Sequence, residues 1–221
     1  QPLTFDTEKD LEPVMLVATA PYVIATHPSR PFKSFADVIT AAKDKPGAIT
    51  YASVGTGTIG HLAMVLLAKK AGITLAHVPY RGGGPAMNDA IAGHVDMITG
   101  SVALINPQLA SGGLRPLLQT GKERQAALKD VQTASEAGFA GFEALAWWGI
   151  FAPKATPRDI VERMRAAIEA ALKEEKAHKV LTESQLMTMV HGGPDVMGRF
   201  LSEQIKIWGD VVRENAIKGA N

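Results

Sequence analysis

An α/β fold, with a parallel sheet covered by helices on both faces, is the class the sequence predicts. Three observations carry it. Between residues 14 and 120, short apolar runs alternate with helix-like stretches of about ten residues. Two glycine-rich turns, at 55–60 and 82–84, each follow a strand-like run and precede a helical one. The chain has 221 residues, 46% of them hydrophobic, so a sizeable core can be buried. No apolar run reaches the roughly 18 residues that a membrane span needs.

The elements follow in order. Residues 14–26 read as two strand pieces broken at Ala20-Pro21. Ser34 is placed as an N-cap, with Asp37 three residues on as a variant of the capping box. The helix it opens runs to about Lys45 and stops at Pro46-Gly47. Residues 49–53 form a strand, residues 58–71 a helix, and Gly72 ends that helix. A short strand follows at 75–78, and Pro85 suits the first position of a helix over 85–92. A strand is expected at 95–99, a helix at 102–111 and a strand at 114–119. Residues 121–145 carry little periodicity and many turn residues. One further strand is expected at 146–152. Thr156 caps the next helix, with Pro157 at its first position and Asp159 complementing its dipole. A weaker helix follows from Ala177. Pro194 opens a last helix to about Asn215, with Val196, Phe200, Ile207, Trp208 and Val211 on one face. The tail beyond residue 120 thus has one strand and several apolar helix faces.

Charge narrows the function. The 23 basic and 22 acidic side chains leave a net charge of +1, which gives no support to nucleic-acid binding. The absence of cysteine removes disulfides, thiolate metal sites and cysteine nucleophiles. The histidines show no metal-ligand spacing, so no metal is expected.

Gly55-Thr56-Gly57-Thr58-Ile59-Gly60 matches the GxGxxG pattern between a strand and a helix. Glycines there let a ligand approach the backbone, and the first helix amides are free to bind an anion. A dinucleotide site also expects an acidic residue about 20 positions on. From Gly55 to Asn88 there is none. Arg81 could meet a 2′-phosphate instead, so an NADP-dependent oxidoreductase using the Gly55, Gly57 and Gly60 loop stays open as the alternative. The bland reading is a glycine turn that packs a helix on a sheet. His61, near the start of the helix, is expected to be a neutral imidazole. Tyr80, Arg81 and Gly82 form a second loop, and Thr99, Gly100 and Ser101 end a third strand at the same edge. In open α/β sheets that edge binds ligands. No GxSxG elbow occurs, and Asp89, Asp96, Asp130 and Glu143 show no paired acid–base pattern. Trp147 and Trp148 are read as core or interface aromatics. The pattern is that of a binder, with no catalytic residues.

Three blocks carry a family resemblance. One is Tyr51-Ala52-Ser53 with the run from Gly55 to Ala63. Another is the segment from His77 to Gly82 with Pro85, Ala86 and Asp89. The third comprises Asp130-Val131, Glu136-Ala137-Gly138, Gly141-Phe142-Glu143, Trp147-Trp148-Gly149 and Ala152-Pro153, followed by Thr156-Pro157. Together they resemble the periplasmic solute-binding proteins of tripartite tricarboxylate transporters, the Bug or TctC-like family. The resemblance implies a periplasmic-binding-protein-like (type II) Venus flytrap. It implies no enzyme activity and no cofactor, a small carboxylate ligand (a di- or tricarboxylate or an aromatic acid), a periplasmic location and delivery to membrane permease subunits. The protein itself would not insert in the membrane.

Members of that family begin about a hundred residues earlier, a length that domain-size expectation tolerates. Gln1-Pro2-Leu3 resembles the segment before their crossover. Residues 13–120 are therefore expected to form one complete lobe, and residues 121–221 the crossover plus the C-terminal remnant of the other. Ser53, Gly55, Thr56, Gly57, Thr58 and His61 would hold a carboxylate. Tyr80, Arg81, Gly82, Thr99, Gly100 and Ser101 would line the cleft. The family usually carries an acid near Gly100 and a Glu near Val65, and this chain has neither.

Overall fold

The computed structural model describes residues 4–217; Gln1-Pro2-Leu3 lies outside them. Its organising element is strand β1 (Leu11–Thr26), continuous over 16 residues. The break expected at Ala20-Pro21 is a change of partner, not a break in the strand. Up to Pro21, β1 pairs antiparallel with β6 (Leu145–Pro153). From Tyr22 it pairs with β4 (Met97–Ser101), and from Val23 also with β5 (Arg115–Gln119). A proline has no N–H to give to a ladder, and it is tolerated where one ladder hands over to the next.

Beyond that handover lies a sheet in the order β3-β2-β4-β1-β5, with β2 at Thr50–Ser53 and β3 at Ala76–Pro79. Strand β2 is parallel to both β3 and β4, whereas β1 runs antiparallel to β4 and β5. The sheet is therefore mixed, not wholly parallel, because β1 enters it from the opposite end. On the other side of Pro21, β1 lies against β6 and β7 (Thr188–Gly192). The sequence reading missed β7, a five-residue strand with mostly exposed side chains and little apolar signal.

Helices cover the larger sheet on both faces. On one face, α1 (Phe35–Asp44) and α2 (Ile59–Ala71) bury Phe35, Val38, Leu62, Met64 and Leu67 against Ile24, Tyr51, Met97 and Leu118. On the other, α3 (Gly83–Ile91) and α4 (Val102–Ala110) bury Ala86, Met87, Val102 and Ile105 against Val23, Ala25, Ala52 and Ile98. Successive strand residues thus feed opposite cores, as the two-residue strand period requires. Helix α1 opens with the expected capping box: Ser34 Oγ accepts from the Asp37 amide, and the Asp37 carboxylate accepts from the Ser34 amide. Gly72 closes α2 with a left-handed φ of 64°.

The tail is anchored by contacts the sequence did not reveal. Gln119 is fully buried; its side-chain amide donates to the Leu128 and Val131 carbonyls, and its carbonyl accepts from the Gln125 amide. One strand residue thereby pins the irregular segment after it. Helix α5 (Arg158–Lys173) starts at Arg158 with Pro157 as its cap residue, so Thr156 is not the cap. The short α6 (Glu175–Lys179) and a π-helical turn lead to β7. Helix α7 (Pro194–Glu214) spans both sheets. Met197 and Leu201 pack on Leu16 of the smaller sheet, while Trp208 and Val211 join the core beneath α2. Its buried stripe is therefore Met197, Leu201, Trp208 and Val211, whereas Val196 and Ile207, expected on that face, are exposed. No described helix is long and apolar enough to cross a membrane.

Candidate functional site

The carboxyl ends of β2, β3 and β4 lie at one edge of the larger sheet. Each leads through a loop into a helix, α2, α3 and α4 respectively. Three helix N-termini therefore gather at this edge, each carrying a partial positive charge and first-turn amides without intrahelical partners.

The first loop is the most constrained. Gly55 and Gly57 hold φ values of 147° and 80°, which side chains with a Cβ rarely adopt. Thr58 is the cap residue of α2, yet its side chain does not cap the helix. Its hydroxyl donates instead to the Gly55 carbonyl at 2.7 Å. Thr58 thus makes no side-chain cap for the first-turn amides of α2, of which the Gly60 amide reaches the Tyr22 phenol instead. Gly60, the third glycine, has a different reason to be there. A Cβ at this position would lie 2.9 Å from Cε1 of Tyr22. It lets the helix pack directly on β1.

Beneath the loop lies a polar stack in which His61 and Tyr51 are buried and His77 is half-buried. The His61 and His77 rings are 3.9 Å apart and nearly parallel, and Tyr51 stacks on His77 at 5.0 Å. His61 Nδ1 accepts from the Gly57 amide at 3.1 Å. His77 Nε2 lies 2.7 Å from Ser53 Oγ, which also accepts from the Gly55 amide. Burial lowers the pKa of both imidazoles. For His77, with the neighbouring His61 adding to the effect, it falls to about 4. His61 is therefore neutral as expected, but through burial and not chiefly through the helix dipole.

The second loop is tied to the first: the Tyr80 amide donates to the Ser53 carbonyl, and the Gly82 amide to the Val54 carbonyl. Gly82, at φ 110°, is the cap residue of α3. The Tyr80 hydroxyl donates to Asp89, and burial together with that carboxylate pushes its pKa up to about 12. Arg81 is exposed. In the third loop, Thr99 is buried beneath Gly60, and Ser101 Oγ accepts from the Leu104 amide at the start of α4.

An open cleft of about 360 Å³ lies beside these termini. Gly100 and Ser101 line it, together with Tyr22, Val54, Ile59, Leu104, Ala146, Trp147 and Trp148. Of the sequence-predicted residues, Thr56, Gly57 and Thr58 form the partly exposed rim of the first loop, while Ser53, His61 and Thr99 are buried behind it. The apolar wall was missed. Two neighbouring tryptophans on a strand are the available signal, and the core-or-interface reading does not place them at the cleft. Both indeed pack on cores, Trp147 edge-on to Phe200, while also reaching the cleft. Tyr22 gave no signal; burial raises its phenol to about 12, against a hydrogen bond from the Gly60 amide. None of the cleft-lining residues is charged. Three of the four isolated carboxylates are engaged elsewhere: Asp96 with Thr50 and Arg30, Asp89 with Tyr80, Glu143 with Lys122. No described group of three His, Asp or Glu side chains could hold a metal.

A two-sheet α/β chain with an uncharged, helix-terminus-lined cleft has the fold of a periplasmic-binding-protein-like molecule, and its solved neighbours share it. Over residues 1–217 the sequence matches the tripartite tricarboxylate transporter family receptor, and the chain belongs to that family. It is 37% identical over 211 residues to the UPF0065 protein of the tcbD–tcbE intergenic region in Pseudomonas sp. strain P51. That match covers 95% of this chain and 62% of the relative. An R. palustris protein solved with adipate superposes with a TM-score of 0.91 at 29% identity, covering 100% of this chain and 73% of that one. MatC from Rhodopseudomonas palustris, solved with bound malate, superposes with a TM-score of 0.88 at 28% identity, covering 96% and 73%. The chain therefore spans less than two thirds of the Pseudomonas relative's length.

Proposed function

We propose that this protein is a non-catalytic, extracytoplasmic receptor. It captures a small carboxylate in the cleft and delivers it to the permease subunits of a tripartite tricarboxylate transporter in the periplasm. The N-terminus of α2, which its cap residue Thr58 leaves free of a side-chain hydrogen bond, beside an uncharged cleft is the observation that carries this reading. A carboxylate set against the amides that follow Thr58 gains charge-assisted hydrogen bonds and the helix dipole, with no basic side chain required. Thr56, Gly57 and Thr58 would close one side of the carboxylate, with Gly100 and Ser101 facing it. Ser53, Gly55 and His61 would support the loop from behind. Tyr80, Arg81, Gly82 and Thr99 belong to the neighbouring loops that border the same edge. Adipate and malate in related structures support a ligand of this chemistry.

Thermal unfolding of the chain with adipate, malate, citrate, benzoate or NADP tests the proposal. An acid at 100 times its dissociation constant adds roughly 2.7 kcal/mol of stability, a rise of about 5–10 °C for a chain of this size. Stabilisation by NADP and by none of the acids would overturn the carboxylate reading.

A further inference from the structure

The polar stack under the first loop is larger than a glycine turn needs. Two of the loop's glycines hold left-handed or otherwise Cβ-averse φ values, and each is tied to one imidazole. Gly57 donates directly to His61 Nδ1. Gly55 is tied to His77 through Ser53, whose side chain is fully buried. We infer that His61 and His77 act as a pair of positioning residues: they fix the backbone of Gly57 and Gly55, and thereby aim the first-turn amides of α2 at the ligand's carboxylate. The inference rests on the proposed carboxylate site and assigns His61 a supporting role where the sequence suggested contact.

The hydrogen bonds dictate the protonation of each ring. An amide N–H faces His61 Nδ1, so that nitrogen must be bare and the proton must sit on Nε2. Ser53 Oγ has three partners: the Gly55 amide, the Gly55 carbonyl at 3.1 Å and His77 Nε2. One hydroxyl donates once and accepts twice. All three contacts are made together when Gly55 N–H and His77 Nε2–H donate to Ser53 and the hydroxyl donates to the Gly55 carbonyl. Both rings are then neutral Nε2–H tautomers.

Stacking enforces this state. Two imidazolium rings 3.9 Å apart would repel, and burial disfavours even one charge. Tyr51, on β2, is the further titratable group stacked on the pair, and burial raises its phenol pKa. No described carboxylate or cation is hydrogen-bonded to either ring. Protonating His61 at Nδ1 would set a donor against the Gly57 donor and release the loop.

Nitrogen-15 NMR of the labelled 221-residue chain, combined with adipate titrations, tests the brace. Both rings should appear as neutral Nε2–H tautomers at pH 7. His61→Ala should speed hydrogen exchange at the Gly57 amide and weaken adipate binding about tenfold, the worth of one hydrogen bond. His61→Asn, whose side-chain oxygen sits where Nδ1 was, should restore both to within about threefold, although it restores no aromatic stacking. His77→Gln should rescue His77→Ala at the Gly55 amide in the same way. An Nδ1–H tautomer at His61, or Gly57 exchange unchanged in His61→Ala, overturns the brace. So does His61→Asn that behaves like His61→Ala. If no acid binds the unsubstituted chain, the carboxylate reading fails, while tautomer and exchange still decide the brace.

Discussion

Gly60→Ala separates the two meanings that a GxGxxG pattern can have. If the third glycine serves ligand approach, a methyl group there changes binding and leaves folding alone. The structure argues for packing: the new Cβ would meet Tyr22 Cε1 at 2.9 Å, Cδ1 at 3.3 Å and Thr99 Oγ1 at 3.5 Å. The closest of these is roughly half an ångström inside ordinary carbon–carbon contact. Thr99 is buried and Tyr22 is only 9% exposed, so relief requires the phenol ring to shift toward the cleft. Overpacking of this kind costs about 1–3 kcal/mol. Alanine in place of glycine inside a helix returns up to about 1 kcal/mol. The expected net loss is therefore about 1 kcal/mol. Urea unfolding should show a lower midpoint at unchanged m-value, and the melting temperature should fall by about 2–4 °C. Gly84→Ala is the matched control. Nothing lies within 4 Å of a Cβ there and α3 is already helical, so about 0.4–1 kcal/mol of stabilisation is expected. If Gly60→Ala is as stable as the unsubstituted protein, or more so, the packing argument is refuted.

Three further outcomes are expected. His77 has its pKa lowered from 6.5 to about 4, so an unfolded chain binds its proton in that window and the folded chain does not. Stability should be full above about pH 6.5 and decline as pH falls toward 4, by about 1–2 kcal/mol from this group once its partial exposure is allowed for. His77→Gln should flatten that stretch of a stability–pH curve. Gln119→Ala removes three hydrogen bonds made by a fully buried side chain and should cost about 3–4 kcal/mol, with new protease cleavage between residues 121 and 144 as its signature. Trp208→Ala should cost about 3–5 kcal/mol in a denaturant titration, because this side chain docks α7 into the core beneath α2.

What the sequence revealed of the fold follows from what is local. The helices and strands between residues 34 and 119 were legible because they carry local signals: the Ser34–Asp37 capping box, the Gly72 stop and the two glycine turns. The orientation of β1 was not. Whether a strand runs parallel or antiparallel to its neighbour depends on where its far end is anchored, and that anchor is β6, more than a hundred residues away in sequence. Pro21 looked like a break because a proline usually ends a ladder; here it ends one and permits the next. The α7 face was misassigned for a different reason. Val196, Phe200 and Ile207 flank the buried stripe, so the apolar face reads wider than the part that is buried; along that stripe Met197 and Leu201 answer to one sheet, Trp208 and Val211 to the other.

The site divides along the same line. Its loops were legible, since glycine, hydroxyl and helix start coincide within a few residues. Its wall and its brace were not, since each is assembled from distant strands. Tyr22 and Trp148 reach the cleft from β1 and β6, and neither carries a pattern that distinguishes a cleft aromatic from a core one. His61 and His77 are 16 positions apart in the sequence and show no shared motif, yet parallel pairing sets Tyr51 beside His77, and α2 folds back over β2 to lay His61 on top. The register of two short strands thus converts an unremarkable pair of histidines into the support for the loop. A substitution that shifted β3 by one residue would turn His77 to the opposite face and leave Ser53 without its partner, with no change to the glycine pattern itself.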